Sequence, residues 1–224
     1  MPAVVLDNLR FGWKKHAAAL LEIADFSIQR GERLFLFGPS GSGKTTLLNL
    51  LCGVLLPQQG SVRILGEDIT RMRTFRRDRF RARHIGVIFQ QLNLIPYLDV
   101  LGNVLIAPHF ARMDRHEARE HALELLETLG MLEYLHRPAT ELSIGQQQRV
   151  AVARALVTRP EILIADEPTS ALDSDNREAF MNRMLQMAAE NCTTVIFVSH
   201  DRSLQDHFDR HLDMNVLTAQ GGTA

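Results

Sequence analysis

The stretch from Arg33 to Cys52 constrains this chain more than any other. Arg33-Leu-Phe-Leu-Phe37 is short, apolar and bounded by Gly31 and Gly38, so it reads as a buried strand, and Thr46-Leu-Leu-Asn-Leu-Leu-Cys52 reads as a helix. The connection, Gly38-Pro-Ser-Gly-Ser-Gly-Lys-Thr45, fits G-x-x-x-x-G-K-[ST] at every defined position. Its glycines let successive backbone N–H groups turn inward toward phosphate oxygens, and the helix that follows adds the partial positive charge of its N-terminus. Gly38, Pro39, Ser40, Gly41, Ser42 and Gly43 are the expected cradle, with Lys44, Thr45 and Thr46 opening the helix. Lys44 is expected at terminal phosphates and the Thr45 hydroxyl at Mg²⁺. Taken alone, the stretch also admits an ordinary glycine-rich turn.

A chain of 224 residues with 46% hydrophobic content can bury a large core as one domain, or as one domain with a subdomain. With 26 acidic against 25 basic residues, no global field draws it to nucleic acid or to an anionic membrane, so partners have to be argued locally. Cys52 and Cys192 lie far apart and form no metal-type or redox-type pair. Cys52, set among leucines, reads as a small core residue, and a reducing compartment fits. No apolar run approaches the roughly 18 residues of a membrane span, and the N-terminus is not expected to be a signal peptide. If the protein serves a membrane, another chain is expected to span it.

Along the chain strands and helices alternate. Val4–Leu6, Ile23–Ile28 and Gly60–Gly66 suit a small antiparallel β layer. Ile85–Phe89, Ile162–Ala165 and Thr194–Val198 are continuous apolar runs of the kind covered on both faces, and read as a parallel core sheet. Arg115–Leu129, Gln146–Val157 and Asn176–Ala189 carry helical periodicity. No repeat or linker interrupts them. The expectation is an α/β fold over residues 1–224, with a helical subdomain at about 91–160 inserted in the core.

A second constellation sharpens the first. Ile162-Leu-Ile-Ala165 runs directly into Asp166 and Glu167, which places two carboxylates at the carboxyl edge of a buried parallel strand, where ligands bind in such sheets. One acid can hold a Mg²⁺ shell while the next polarises an attacking water. Further on, Ser143 sits at a helix start with Gln146 three residues later, which is the spacing of a capping box.

In this order the motifs resemble the nucleotide-binding subunit of ATP-binding cassette transporters, over about residues 3 to 217. Ser143-Ile-Gly-Gln146, followed by Gln147-Gln-Arg149, resembles that family's signature motif, and Gln90 after Val87-Ile-Phe89 resembles its Q-loop glutamine. Ser170-Ala-Leu-Asp173 resembles the D-loop, and His200 after Val198-Ser199 resembles the switch histidine. Within the family, Ile85-Gly-Val-Ile-Phe-Gln-Gln91, Leu92-Asn-Leu-Ile-Pro96 and Val100-Leu-Gly-Asn-Val104 resemble the lipoprotein-release and macrolide-efflux type.

The resemblance implies a P-loop NTPase core that uses ATP and Mg²⁺, with Glu167, His200 and Gln90 as catalytic residues and Thr45, Gln90 and Asp166 at the metal. It also implies that Ser143, Gly145 and Gln146 of one copy close over the phosphate loop of another. Trp13 lies where the family keeps an aromatic on the adenine ring, with Phe11 as the competing candidate and a core role open for either. One departure stands out, because the family's usual glycine is replaced by Ile144. In the first turn of a helix its backbone is acceptable, so the expected cost is crowding near the opposing nucleotide.

Two segments keep more than one reading. Arg71 to Arg83 holds seven arginines, which can be a solvated helical face, a contact for anionic lipid or an acidic loop, or last a nucleic-acid surface. Leu92, Leu94, Ile95 and Leu98 can line a groove for a partner helix or fill a subdomain core. The leading functional expectation is an ATPase subunit that dimerises around ATP and drives a separate membrane permease, held peripherally at the cytoplasmic face of the inner membrane. The alternative is a regulatory ATPase that signals to a cell-division or cell-wall machine without transport. A soluble ATPase acting on nucleic acid or ribosomes comes third, and no nucleic-acid partner is expected.

Overall fold

The strands in chain order are β1 (Pro2–Phe11), β2 (Leu21–Gln29), β3 (Arg33–Phe37), β4 (Gln59–Ile64) and β5 (Glu67–Asp68), then β6 (Ile85–Ile88), β7 (Ile162–Asp166), β8 (Thr194–Val198) and β9 (Arg210–Asp213). The α-helices are α1 (Lys44–Leu51), α2 (Thr74–His84), α3 (Val100–Ala111), α4 (Arg115–Thr128), α5 (Ile144–Leu156), α6 (Ser174–Glu190) and α7 (Met214–Ala219). The structure is a computed structural model and describes residues 1–14, 19–170 and 174–219. It divides into two compact units, one of residues 1–78 with 194–224 and the other of residues 79–193.

The first unit contains the antiparallel sheet β2-β1-β4-β5. The register sets Val4 opposite Ile28 and Ile64, and Leu6 opposite Phe26 and Val62. Val4, Leu6, Ile28, Val62 and Ile64 are buried while Asp7 and Arg10 face out. Alternation of this kind is what a sheet with one wet face requires. The same unit contains the parallel strands β8, β3 and β9, with β3 in the middle. Leu34, Phe35 and Leu36 are buried, as are Val195 to Val198. Phe35 packs on Phe197 and Phe208 with ring centroids 6.1 Å and 5.3 Å away, within the range of favourable aromatic pairs.

The start of α2 closes this unit and revises the reading of the arginine cluster. Arg77 is buried, its Nε donating to the carbonyl of Gly53 at 2.9 Å and its guanidinium to that of Met72 at 2.9 Å. Arg71 pairs with Asp68 at 3.1 Å and Arg76 with Glu67 at 3.1 Å. The seven arginines are therefore not one uniform charged face. One is an internal strut and two are neutralised locally.

In the second unit β6 and β7 pair in parallel, Ile85 with Ile162 and Ile88 with Ala165. Gly86 lets α5 approach closely, because a Cβ there would collide with the carbonyl of Ala155. α4 buries Ala118, Ala122 and Leu126, and α5 buries Val150, Ala151 and Ala153. These are the apolar faces the periodicity implied. α3 falls within the expected helical subdomain, but its bounds are not legible in the sequence, since Gly102 and Pro108 break its pattern. It forms because Val100, Leu101, Val104 and Ala111 are buried and because Asp99 caps it, accepting from the Gly102 N–H at 2.7 Å. β9 and α7 were unforeseen. β9 has no apolar run, and its place comes from pairing with β3.

Candidate functional site

The first unit carries the phosphate loop in the expected setting, with β3 ending at Phe37 and α1 starting at Lys44. Gly43 occupies the helix N-cap at φ 92, a left-handed conformation that suits glycine, and offers no side chain to the helix N–H groups. Ser42 Oγ is buried without a hydrogen-bond partner among the described residues. An uncapped helix start beside an orphaned hydroxyl suits an oxyanion such as a nucleotide phosphate. Lys44 Nζ donates to the carbonyls of Gly38 at 2.8 Å and Pro39 at 2.9 Å, which holds the ammonium across the loop. Thr45 is exposed and Thr46 is buried.

Trp13 and Phe11 separate by burial. Phe11 is 6% exposed and belongs to the core, whereas Trp13 is 69% exposed and meets Phe11 edge-on at 5.4 Å. Of the two rings, only Trp13 offers a wide face. His200 is exposed one residue past the buried Ser199, at the carboxyl end of β8. The chain beyond it turns under Asp201, whose carboxylate accepts from the Ser203 N–H at 3.0 Å.

The second unit carries the remaining candidates. β7 ends at Asp166, and Glu167 follows at φ 48. A side-chain-bearing residue in that region costs free energy, and such positions cluster at functional sites. Gln90 is exposed just beyond β6, ahead of Leu92 and Asn93, which also have positive φ (23 and 49). At α5 the capping box is present, the Gln146 N–H donating to Ser143 Oγ at 3.3 Å and the Ser143 N–H to Gln146 Oε1 at 2.9 Å. Ile144 is the first helical residue and is 54% exposed, so its replacement of glycine leaves the helix intact and puts an apolar side chain on the surface. A Cβ on Gly145 would meet nothing within 4 Å. Of the D-loop segment only Ser170 lies within the described residues.

A groove of about 440 Å³ draws part of this unit together, lined by Gln90, Leu92, Leu94, Ile144, Gln147 and Ser170 among others. Leu92 and Leu94 are half-buried, which favours a groove wall over a filled core. Two α5 residues to which the motif reading gave no role, Gln148 and Arg154, shape this wall. Gln148 Nε2 donates to the Pro168 carbonyl at 2.9 Å, and the Arg154 guanidinium donates to the carbonyls of Asn93 at 2.7 Å and Leu92 at 2.5 Å. The sequence signal for Arg154 was a charged residue in the otherwise apolar Val150–Leu156 stretch of α5, whereas nothing set Gln148 apart within the polar run Gln146–Arg149. Asn103, fully buried, fixes the same loop from α3, accepting from the Ile95 N–H at 2.7 Å and donating to the Leu98 carbonyl at 3.1 Å.

A phosphate-binding strand–loop–helix joined to a mixed parallel and antiparallel α/β architecture defines a P-loop nucleotide-binding cassette. The dimeric cassette MJ0796, solved with ADP and Pi in a post-hydrolysis state, superposes with a TM-score of 0.84 at 35% identity, covering 94% of this chain and 93% of that one. A family model described as ABC transporter matches residues 21–170, and the chain belongs to that family. The macrolide export ATP-binding/permease protein MacB of Shewanella sp. (strain ANA-3) is 42% identical over 195 residues. That alignment covers 87% of this chain but only 30% of MacB, so this chain corresponds to less than a third of that protein. The lipoprotein-releasing system ATP-binding protein LolD of Bacteroides fragilis (strain YCH46) is 37% identical over 195 residues, covering 87% of this chain and 90% of LolD.

Proposed function

We propose that this chain is the ATP-hydrolysing subunit of a transporter of the LolD and MacB type, working with a separate membrane permease. The observation that carries the reading is the phosphate loop, where an uncapped helix start, the buried Ser42 hydroxyl and Lys44 provide a concentrated set of donors. Trp13 is the adenine platform. Glu167 is the carboxylate that accepts a proton from the attacking water, Gln90 links the Mg²⁺ to the membrane partner and so senses the nucleotide state, and His200 donates to the γ-phosphate.

The Thr45 hydroxyl, the Gln90 amide oxygen and the Asp166 carboxylate are hard oxygen donors and suit Mg²⁺, which when bound neutralises charge on the terminal phosphates. The whole of residues 1–224 forms one ATPase domain, with the helical subdomain at about 91–160 presenting the groove. Two copies pair around ATP, with Ser143, Gly145 and Gln146 of each facing the nucleotide of the other. The dimeric state of MJ0796 supports that pairing. The subunit is held peripherally at the cytoplasmic face by its permease, and no helix among the described residues is long and apolar enough to cross a membrane.

The test is Glu167→Gln. The amide keeps shape and hydrogen bonding but cannot take the proton, so ATP binding survives while turnover falls by about 10²-fold or more. The variant is also expected to dimerise with Mg-ATP in size-exclusion chromatography. Turnover within about threefold of the parent would sink the assignment.

A further inference from the structure

Helix α5 makes two side-chain contacts to distant backbone, from positions six residues apart. Gln148, 2% exposed, donates to the carbonyl of Pro168, the residue after Glu167. Arg154 donates to the carbonyls of Leu92 and Asn93, the residues closely following Gln90. Both gripped segments hold unfavourable backbone, with φ of 48 at Glu167, 23 at Leu92 and 49 at Asn93. Conformations of this kind persist only where surrounding structure over-determines them.

The chemistry of the two side chains argues that the contacts have a purpose beyond packing. Gln148 Oε1 is buried with no partner among the described residues, a cost that an apolar residue of similar volume would avoid. Keeping the amide is explained by its Nε2 donor. Arg154 is held where burial disfavours its charge, and it spends its planar fork on two consecutive backbone carbonyls. Leu92, Asn93, Pro168 and Gln148 all line the same groove.

We propose that α5 is a tie-bar, with Gln148 the positioning residue for the Glu167 turn and Arg154 the positioning residue for the loop behind Gln90. This rests on the ATPase reading above and deepens it, naming two positioning residues for the same site.

The test uses the purified full chain and Mg-ATP. Gln148→Met keeps volume and removes the donor. It should lower kcat by about tenfold or more, the scale of a misplaced catalytic group, with KM for ATP within about threefold. Arg154→Met should act likewise, and Arg154→Lys, which regains a cationic donor, should recover most of the loss. Combining Gln148→Met with Glu167→Gln should reduce turnover no further than Glu167→Gln alone, because one effect acts through the other.

Parental kcat in the Met variants, equal shifts in kcat and KM, or an independent additional loss in the double variant would each overturn the tie-bar. Should a Met variant fail to fold, amide exchange on Arg154→Gln, whose shorter amide cannot span the Leu92 and Asn93 carbonyls, decides. Selective acceleration at residues 92–95 and 169–170 supports the proposal, while unchanged or uniformly faster exchange removes it. The two levels fail differently. If the underlying ATPase reading is at fault, Glu167→Gln itself turns over at the parental rate; if only the tie-bar is at fault, Glu167→Gln is inactive while the α5 variants are parental.

Discussion

Lys44 Nζ lies 2.8 Å from the carbonyl oxygen of Gly38, so the one ammonium of the phosphate loop bridges the loop's two ends. A lysine in this position has two linked tasks, to hold the curl of the backbone and to present charge to whatever the N–H groups bind. Lys44→Ala removes both. Mg-ATP should stabilise the parent in a thermal-shift measurement and leave the variant almost unmoved, since binding energy and apparent stability are linked by mass action. A variant stabilised as strongly as the parent would place Lys44 outside the nucleotide site.

Leu94 lines the groove with its side chain half-buried. Leu94→Asp puts a charge where an apolar partner surface would have to desolvate it. Nucleotide binding by the isolated subunit is expected to persist, while co-purification with the membrane permease is lost. An intact complex, or loss of the helical circular-dichroism signal in the isolated variant, would argue for a core role.

The arginines of α2 should divide sharply. Arg77→Ala leaves the carbonyls of Gly53 and Met72 without their buried donor, and a loss of about 2–4 kcal/mol in chemical denaturation is expected. The exposed Arg79→Ala should fall within about 0.5 kcal/mol of the parent. Equal effects would return Arg77 to the surface cluster.

Asp209 ties the start of β3 to the approach of β9, its carboxylate accepting from the Arg33 backbone N–H at 2.8 Å and from the guanidinium at 2.9 Å. The Arg33 side-chain hydrogen bond holds its pKa below the usual carboxylate value. A depressed folded-state pKa gives stability that is present above the unfolded pKa and is lost as pH falls through the folded one. Both side chains are well exposed, so the pair contributes about 1 kcal/mol or less. The melting temperature of Asp209→Asn should trail the parent slightly at pH 7, and the gap should close in strong acid. A gap that widens in acid would contradict the assigned direction.

The sequence by itself determined the elements whose signals are local. Arg33–Phe37, the glycine loop and the helix after it declare themselves through an apolar run, a spacing and a cap, and the Ser143–Gln146 capping box needs only four residues of chain to form. The apolar runs at Ile85, Ile162 and Thr194 became strands for the same reason. Tertiary structure alone decided features fixed by distant partners. β9 is a strand because β3 supplies its hydrogen bonds, and α3 is a helix because burial outweighs Gly102 and Pro108. Arg77 is internal because the Gly53 carbonyl meets it across 24 positions, and Gln148 and Arg154 became positioning residues because the chain returns Pro168 and Leu92 to α5. Periodicity and spacing record what a residue's neighbours in sequence require, whereas a backbone carbonyl can be offered by any segment that folding brings near and leaves no mark in the composition around it.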